Sequence, residues 1–212
     1  MKTRASRHVL AVLAATAAAF AAEKASPCCP PETKPAAAPC CPVVPPVAPL
    51  SSRSLYQLDA TWTNDAGRAM SLSSFRGQPV ILAMFFASCE YACPVLVSDI
   101  QRLRALLPAA DRERTSVVLV TFDTERDTPA ALRAFRERSG LDANWTLLRG
   151  EETAVQELAM LLGVKFRREA RGQFAHSNLF TLLNAEGEIA HQTLGLMGDV
   201  SPAARVLAAL PR

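Results

Sequence analysis

The segment PVILAMFFASCEYACPVLVSDIQRLRAL, residues Pro79 to Leu106, is the part of the chain from which we predict the fold. It opens with a nearly continuous apolar run, Val80 to Phe86, which is typical of a strand covered on both faces. Cys89 and Cys93 come directly after this run. Pro94 suits the first turn of a helix but not its interior, so we expect a helix to begin at Pro94 with Cys93 as its cap. The segment therefore predicts a buried strand, a turn that holds two cysteines, and a helix.

The two cysteines indicate a reactive site. Sulfur atoms at the start of a helix lie beside free amide groups and the positive end of the helix dipole, which favours the thiolate form. Thiolates bind soft metals and attack disulfides, so we favour a thioredoxin-like redox or metal site over a structural disulfide. The cysteines are four residues apart, a wider spacing than the C-x-x-C of thioredoxins. This spacing favours metal capture over fast dithiol exchange.

The beginning of the chain predicts export. Lys2, Arg4 and Arg7 precede an apolar run from Val9 to Ala22 that ends in small side chains, so we interpret residues 1–21 as a cleaved signal peptide. An uncleaved membrane anchor is the alternative. The 14-residue run would span about 21 Å as a helix, against about 30 Å for the hydrocarbon core of a bilayer. We therefore expect a soluble periplasmic protein, in a compartment where cysteines can cycle between dithiol and disulfide.

The charge of the chain excludes one class of partner. The formal net charge is +3, from 23 basic and 20 acidic residues. Three of the basic residues belong to the predicted signal peptide, so 20 basic residues would remain against 20 acidic ones. A neutral protein is not expected to bind nucleic acid.

Residues 22–53 predict a disordered tether, because Pro and Ala dominate them and leave too little apolar surface for a core. The tether contains the sequence CCP twice, as Cys28-Cys29-Pro30 and Cys40-Cys41-Pro42. Two interpretations remain open: the cysteines collect soft metal ions, or they are incidental thiols that form disulfides. A folded zinc module is not indicated, because no histidine lies nearby.

Residues 54–212 predict an α/β domain with a thioredoxin-like fold, an added N-terminal β-hairpin, and a β-hairpin insertion that bears a histidine. The alternation of strands and helices implies parallel pairing with right-handed crossovers. The predicted strands are Leu55 to Thr63, Ala69 to Leu72, Val80 to Phe86, Ser116 to Phe122, Trp145 to Leu148, Phe174 to Leu183 and Glu188 to Thr193. The predicted helices are Pro94 to Leu107, Pro129 to Ser139, Glu151 to Leu162 and one that opens at Ser201-Pro202.

One of the three histidines is a candidate ligand. His8 belongs to the predicted signal peptide, and we interpret His191 as an ordinary residue of the last strand. His176 lies in a region that comes close to the cysteine turn in a thioredoxin-like sheet. Two thiolates and one imidazole form a three-coordinate set that suits copper, as Cu(I) or Cu(II). A surface or internally satisfied histidine is the alternative for His176.

From Tyr56 to Leu210 the chain resembles the SCO/SenC family of copper chaperones for cytochrome oxidase assembly. The matching motifs are Cys89-x-x-x-Cys93-Pro94, FDTERDTP at Phe122 to Pro129, and His176-Ser177 before a strand and an Asn-Ala-Glu-Gly turn. The resemblance implies that Cys89, Cys93 and His176 are copper ligands. It also implies an exported metallochaperone that delivers copper to a respiratory oxidase or keeps the oxidase cysteines reduced. The implied partners are the copper-site subunit of that oxidase or another copper chaperone.

The sequence departs from the family pattern in two places, the pair after the first cysteine and the residue before the histidine. The first cysteine is usually followed by Pro-Asp, but Glu90-Tyr91 follows it here, and an aspartate is usual where this chain has Ala175. The ligand residues themselves are kept. Because neighbouring hydrogen bonds orient metal ligands, these changes can alter affinity by about 10 to 100-fold.

Charged residues near these motifs have structural interpretations. We expect Asp127 and Thr128 to cap the helix that begins at Pro129, and we expect Asp123 to end a strand near the site and tune the thiols. A basic cluster lies just before His176 and is predicted to be a solvated loop, with docking of an acidic partner face as the alternative. Its members are Lys165, Arg167, Arg168 and Arg171.

The main alternative function is a periplasmic thiol-disulfide reductase, in which Cys89 and Cys93 are a catalytic redox pair. Thioredoxins hold a cis-proline before their penultimate strand, but no proline occurs between Pro129 and Pro202 here. A peroxiredoxin-type peroxidase is discounted, because it needs Thr or Ser three residues before its cysteine. Phe86 and Glu90 occupy those positions before the two cysteines.

Overall fold

The structure is a computed structural model that describes residues 49–211, apart from the side chain of Arg171. The predicted signal peptide, most of the predicted tether and all four tether cysteines lie outside the described residues. Among residues 49–211, no helix combines the length and the apolar character needed to cross a bilayer.

The described chain contains nine strands, five α-helices and three short 3-10 helices. The strands are β1 (Trp62–Asn64), β2 (Ala69–Met70), β3 (Val80–Phe85), β4 (Ser116–Thr121), β5 (Trp145–Arg149), β6 (Phe166–Arg168), β7 (Phe174–His176), β8 (Leu179–Leu183) and β9 (Ile189–Leu194). The α-helices are α1 (Ala92–Ala105), α2 (Ala109–Arg114), α3 (Pro129–Arg138), α4 (Glu152–Leu162) and α5 (Ser201–Ala209). The 3-10 helices are Leu55–Gln57, Leu72–Phe75 and Ala170–Gly172.

The main sheet has seven strands in the order β2-β1-β5-β4-β3-β8-β9. Strands β3, β4 and β5 are parallel, and β3 pairs with β8 in the antiparallel direction on its other side. All six residues of β3 are buried, as its apolar run predicts for a strand covered on both faces. This α/β architecture confirms the predicted thioredoxin-like fold.

The N-terminal hairpin is present but shorter than predicted. β1 pairs with β2 and also with β5, so the hairpin extends one edge of the main sheet. The segment from Leu55 was predicted to be a strand, but it forms a 3-10 turn capped by the hydroxyl of Ser54. The Leu55 amide donates to the carbonyl of Gly187 at 2.9 Å, in the turn between β8 and β9. This contact holds the segment against the β8–β9 turn.

Helix α1 begins two residues earlier than predicted. It starts at Ala92 with Tyr91 as the N-cap, so Cys93 lies inside the first turn and is not the cap. The Cys93 amide, which has no partner within the helix at this position, donates to the Cys89 sulfur at 3.3 Å. Pro94 lies in the first turn, where its missing N–H is not needed.

The predicted strand from Phe174 to Leu183 is two strands in two different sheets. β7 pairs with β6 in a separate two-stranded sheet, whereas β8 belongs to the main sheet. The chain changes partners at Ser177, whose amide donates to the Lys165 carbonyl at 2.8 Å and whose hydroxyl accepts from the Lys165 amide. Lys165, Arg167 and Arg168 of the basic cluster are exposed to solvent, as predicted. The prediction of a loop was wrong for Arg167 and Arg168, because Phe166–Arg168 form β6. We refer to β6, β7 and their connection as the satellite hairpin, residues 164–177.

Candidate metal centre

The two cysteines lie in the turn between β3 and α1. Cys93 is fully buried and Cys89 is half-buried, and both are free thiols. The Cys89 amide donates to the carbonyl of Phe86 at 3.2 Å, which ties the turn to the end of β3. Both sulfurs are thus held by elements of the protein core.

The satellite hairpin brings His176 to the cysteines. The ligand atoms of Cys89, Cys93 and His176 all lie within 4.8 Å of one another. His176 Nδ1 is 3.0 Å from the Ser177 carbonyl oxygen, which can only accept a hydrogen bond. Nδ1 therefore carries a proton, so Nε2 of the neutral imidazole has the lone pair that a metal ligand needs. In the protonated imidazole, Nε2–H donates instead to the Cys89 thiolate. Donors this close, two sulfurs and one imidazole nitrogen, fit a single soft metal ion.

Four phenylalanine rings attach the hairpin to the domain. Phe122, which follows β4, is the central ring. Its ring centroid is 5.1 Å from that of Phe166 of β6, on which it stacks, and 5.0 Å from that of Phe174 of β7. Phe122 also lies 5.4 Å from Phe86 and 5.1 Å from the His176 ring. Phe86 contacts His176 edge-on at 5.9 Å. Aromatic packing therefore fixes the position of the imidazole.

Asp123 provides an electrostatic attachment for the same hairpin. Its carboxylate is fully buried and pairs with Arg126 at 2.5 Å and with Arg168 of β6 at 3.8 Å. Arg126 also donates to the carbonyl of Gly172 in the hairpin connection. Both arginines lie over the Phe174 ring. We expected Asp123 to tune the thiols, but its charged partners are these two arginines.

Asp127 is the carboxylate that acts on the cysteine turn. It does not cap α3 as predicted, because Thr128 alone accepts from a helix amide, that of Ala131. Asp127 instead accepts from the Ala87 amide at 2.8 Å and from the Thr121 hydroxyl. Burial raises the pKa of Asp127, although these hydrogen bonds oppose the shift. The Asp127 carboxylate therefore connects the end of β4 to the residues just before Cys89.

The two thiols have opposite protonation properties. The pKa of Cys89 is lowered to about 4, chiefly because the Cys93 S–H donates to the Cys89 thiolate. Burial opposes this shift, while hydrogen bonds from His176 and from backbone amides support it. The same Cys93–Cys89 hydrogen bond, together with burial, raises the pKa of Cys93. Cys89 is thus the thiolate of the pair, and Cys93 holds the proton.

The histidines and the residues that depart from the family pattern are placed as follows. Burial would lower the pKa of His176, but hydrogen bonds with Cys89 and with the Ser177 carbonyl outweigh burial and raise it. His191 lies on β9 and is not part of the cysteine–histidine cluster. Glu90, Tyr91 and Ala175, the positions that depart from the family pattern, are all exposed beside the site.

Sequence reasoning missed the residues that position His176. Phe166 and Phe174 were not singled out, and Asp123 was assigned a different partner. The sequence does indicate a link between Phe174 and His176, because residues two apart in a strand lie on the same face. Their aromatic partner on β6 was not predicted because β6 itself was not.

Comparisons with known proteins agree with this geometry. The family model described as SCO1/SenC matches residues 51–210. A "Putative copper-binding protein" of Stutzerimonas stutzeri is 32% identical over 141 residues, which cover 65% of this chain and 67% of the relative.

Two solved structures of the Sco family share the fold. BsSco, described as a member of the Sco family of cytochrome c oxidase assembly proteins, has a TM-score of 0.61 at 22% identity. The alignment covers 76% of this chain and 99% of BsSco. Bradyrhizobium japonicum ScoI with copper bound has a TM-score of 0.59 at 20% identity, over 72% of this chain and 97% of ScoI. With its family match over three quarters of its length and the same architecture, the chain belongs to the SCO1/SenC family.

Proposed function

We propose that this chain is an exported metallochaperone that binds copper through Cys89, Cys93 and His176 and delivers it to the copper site of a respiratory oxidase. The observation that carries the proposal is the meeting of two sulfurs and one imidazole within 4.8 Å. Thiolate sulfur suits Cu(I), and the imidazole nitrogen adds affinity for Cu(II). The copper-binding relatives and the family of oxidase assembly proteins support the same metal and the same client.

The exposure of the site supports delivery of the metal. Cys93 is fully buried, whereas Cys89 and His176 are partly exposed. A protein that receives copper can therefore reach the ion from the side of Cys89 and His176. The lowered pKa of Cys89 supplies a thiolate without added base.

The proposal includes the organisation of the chain and its location. Residues 1–21 act as a signal peptide, residues 22–53 as a tether with four cysteines, and residues 54–212 as the copper-binding domain in the periplasm. Mass spectrometry of the exported protein should find a chain that begins near Ala22. A membrane-bound product that retains Met1 would contradict this part.

The second candidate function is a periplasmic thiol-disulfide reductase. The observation that favours it is the hydrogen bond between a buried Cys93 thiol and a Cys89 thiolate, which leaves Cys89 as a ready nucleophile. Both functions use the same two sulfurs. They differ in their need for the imidazole, because a disulfide forms without it.

The test is to replace His176 with alanine and measure copper binding and redox potential in the same protein. We expect copper affinity to fall by more than tenfold, at least about 1.4 kcal/mol, with little change in the dithiol midpoint potential. His191→Ala is the matched control and should change neither property. Cys89→Ser and Cys93→Ser should each abolish both. Unchanged copper affinity in His176→Ala would remove the histidine from the site and contradict the chaperone assignment.

A further inference from the structure

The satellite hairpin concentrates positive charge in a domain that is otherwise slightly acidic. Residues 164–177 contain four basic residues and one acidic residue. The remainder of residues 49–211 contains 13 basic and 17 acidic residues. Positive charge therefore collects on the one element that carries His176.

A groove on this hairpin opens beside the histidine. It has a volume of about 440 Å³ and is lined by Lys165, Phe166, Arg167, Ala175, His176 and Ser177. Two of these six residues are cations, and none is acidic. Because the imidazole forms part of the wall, anything bound in the groove lies against a residue of the metal site.

The two cations of the groove are available to a partner. Lys165 is exposed, and its ammonium group has no ion-pair partner in the described part of the chain. The Arg167 side chain is 80% exposed, and its ion pair is with Glu169, which is itself 46% exposed, at 3.3 Å. An ion pair between exposed side chains contributes little to stability, so Arg167 can exchange Glu169 for another carboxylate. Arg168, in contrast, is held by Asp123 and Glu125.

We propose that this groove is the docking site for an acidic segment of the protein that receives the copper, with carboxylates bound by Lys165 and Arg167. The inference rests on the proposed function and names the chemistry of its partner. Docking in the groove places the acceptor beside His176, so recognition and metal transfer occur at the same place. Attraction between opposite charges also speeds the encounter, an effect that salt weakens.

A protein segment fits this site better than a membrane surface. The cations lie on an open surface that also includes His176 and Ser177, so a protein segment bound by them contacts a residue of the metal site. A lipid surface would be attracted only weakly by two cations. We therefore assign the groove to a protein partner.

The experiment measures the second-order rate of copper transfer from the loaded protein to the soluble, copper-free domain of an oxidase copper-site subunit. The wild-type rate should fall by about tenfold or more as salt rises from about 0.02 M to about 0.3 M. Arg167→Glu should lower the low-salt rate by a similar factor and weaken the dependence on salt. Lys165→Glu should act in the same direction.

Arg53→Glu is the matched control. Arg53 is 81% exposed and, like Arg167, has one long ion pair to a glutamate, Glu188 at 3.5 Å. Glu188 belongs to the β8–β9 turn, at the end of the sheet where β3 begins, whereas the cysteines follow the end of β3. Arg53→Glu should leave both the rate and its dependence on salt unchanged.

A neutral small copper(I) chelator separates docking from effects on the site itself. Transfer to the chelator should be the same in wild type and Arg167→Glu; a difference would mean that the charge acts on the copper site, and would overturn the docking inference. Transfer that is indifferent to salt and to Arg167→Glu would also overturn it, while leaving the copper chaperone intact. Arg167-dependent binding to vesicles of anionic lipid, with unchanged transfer, would assign the surface to the membrane instead. Failure of the wild-type protein to bind copper would contradict the proposed function itself.

Discussion

The sulfurs and the imidazole of the site belong to two differently built regions. Cys89 and Cys93 follow a fully buried strand of the seven-stranded sheet, and the carboxylate of Asp127 ties their turn to β4. His176 lies on the satellite hairpin, a two-stranded sheet separate from the main one. Ring contacts and two arginines attach that hairpin. Half of the site is thus as stable as the core, and the other half depends on a small set of side-chain contacts.

This difference has a thermodynamic consequence. Parts of a protein with few buried contacts open locally at a lower free energy than the core does. We expect the hairpin to open while the sheet stays folded, so that the imidazole can leave while the sulfurs stay in place. The following predictions test that division, from the largest expected effect to the smallest.

The largest effect concerns the reactivity of Cys89 in the reduced, metal-free protein. Its lowered pKa keeps it ionised as the pH falls, until the pH approaches about 4. At pH 6 an ordinary thiol is less than about 1% ionised, so Cys89 should react with iodoacetamide far faster than its exposure suggests. The rate should be flat from pH 8 to pH 5 and then decline.

The division of the site adds a second expectation to this measurement. The main cause of the low pKa of Cys89 is the hydrogen bond from Cys93, which lies in the half of the site that is attached to the main sheet. Phe166→Ala loosens the hairpin but not the core. The alkylation rate of Cys89 in this variant should therefore still change little between pH 8 and pH 5. If the alkylation rate in either protein decreased tenfold for each pH unit below pH 8, the contacts of Cys89 with the core would not lower its pKa.

The next effect compares one core residue with one hairpin residue. Leu119 is fully buried in β4, and Leu119→Ala should lower the free energy of unfolding by about 2–5 kcal/mol. Copper affinity of the folded protein should stay the same. Phe166 is only partly buried, so Phe166→Ala should cost about 1 kcal/mol of global stability and lower copper affinity by about tenfold.

Urea denaturation and copper titration of these two variants provide the measurements. The reverse result, with copper affinity lost in Leu119→Ala and kept in Phe166→Ala, would mean that the hairpin and the sheet form one cooperative unit.

The smallest effect concerns the charged attachment of the hairpin. Asp123→Asn removes the carboxylate between Arg126 and Arg168, and it should destabilise the hairpin by about 1–3 kcal/mol, because both arginines remain partly in water. Hydrogen exchange should become faster at the amides of β6 and β7 and stay slow in β3. Asp65→Asn is the control, since it breaks a comparable pair with Arg136 away from the hairpin. Equal acceleration in both variants would contradict a specific role for Asp123.

Much of the fold follows from local patterns in the chain. The run Val80 to Phe85 is apolar at every position, and only a strand covered on both faces buries such a run. Pro94 and Pro129 lie in the first turns of α1 and α3, where a proline is tolerated. The identity of the three candidate ligands also came from the sequence, through the cysteine spacing and the family resemblance.

Long-range contacts determined the rest. No short-range pattern states that the chain leaves one sheet and joins another at Ser177, because that change depends on hydrogen bonds to Lys165 and on the pairing of Asn178 with Gly195. The partners of Asp123 and Asp127 likewise come from packing, since both residues follow β4 and only the folded neighbours distinguish them. The residues that can hold a metal are thus recorded in the sequence. Their meeting within 4.8 Å depends on Phe122, whose ring touches the imidazole and stacks against a strand that becomes recognisable only when the chain is folded.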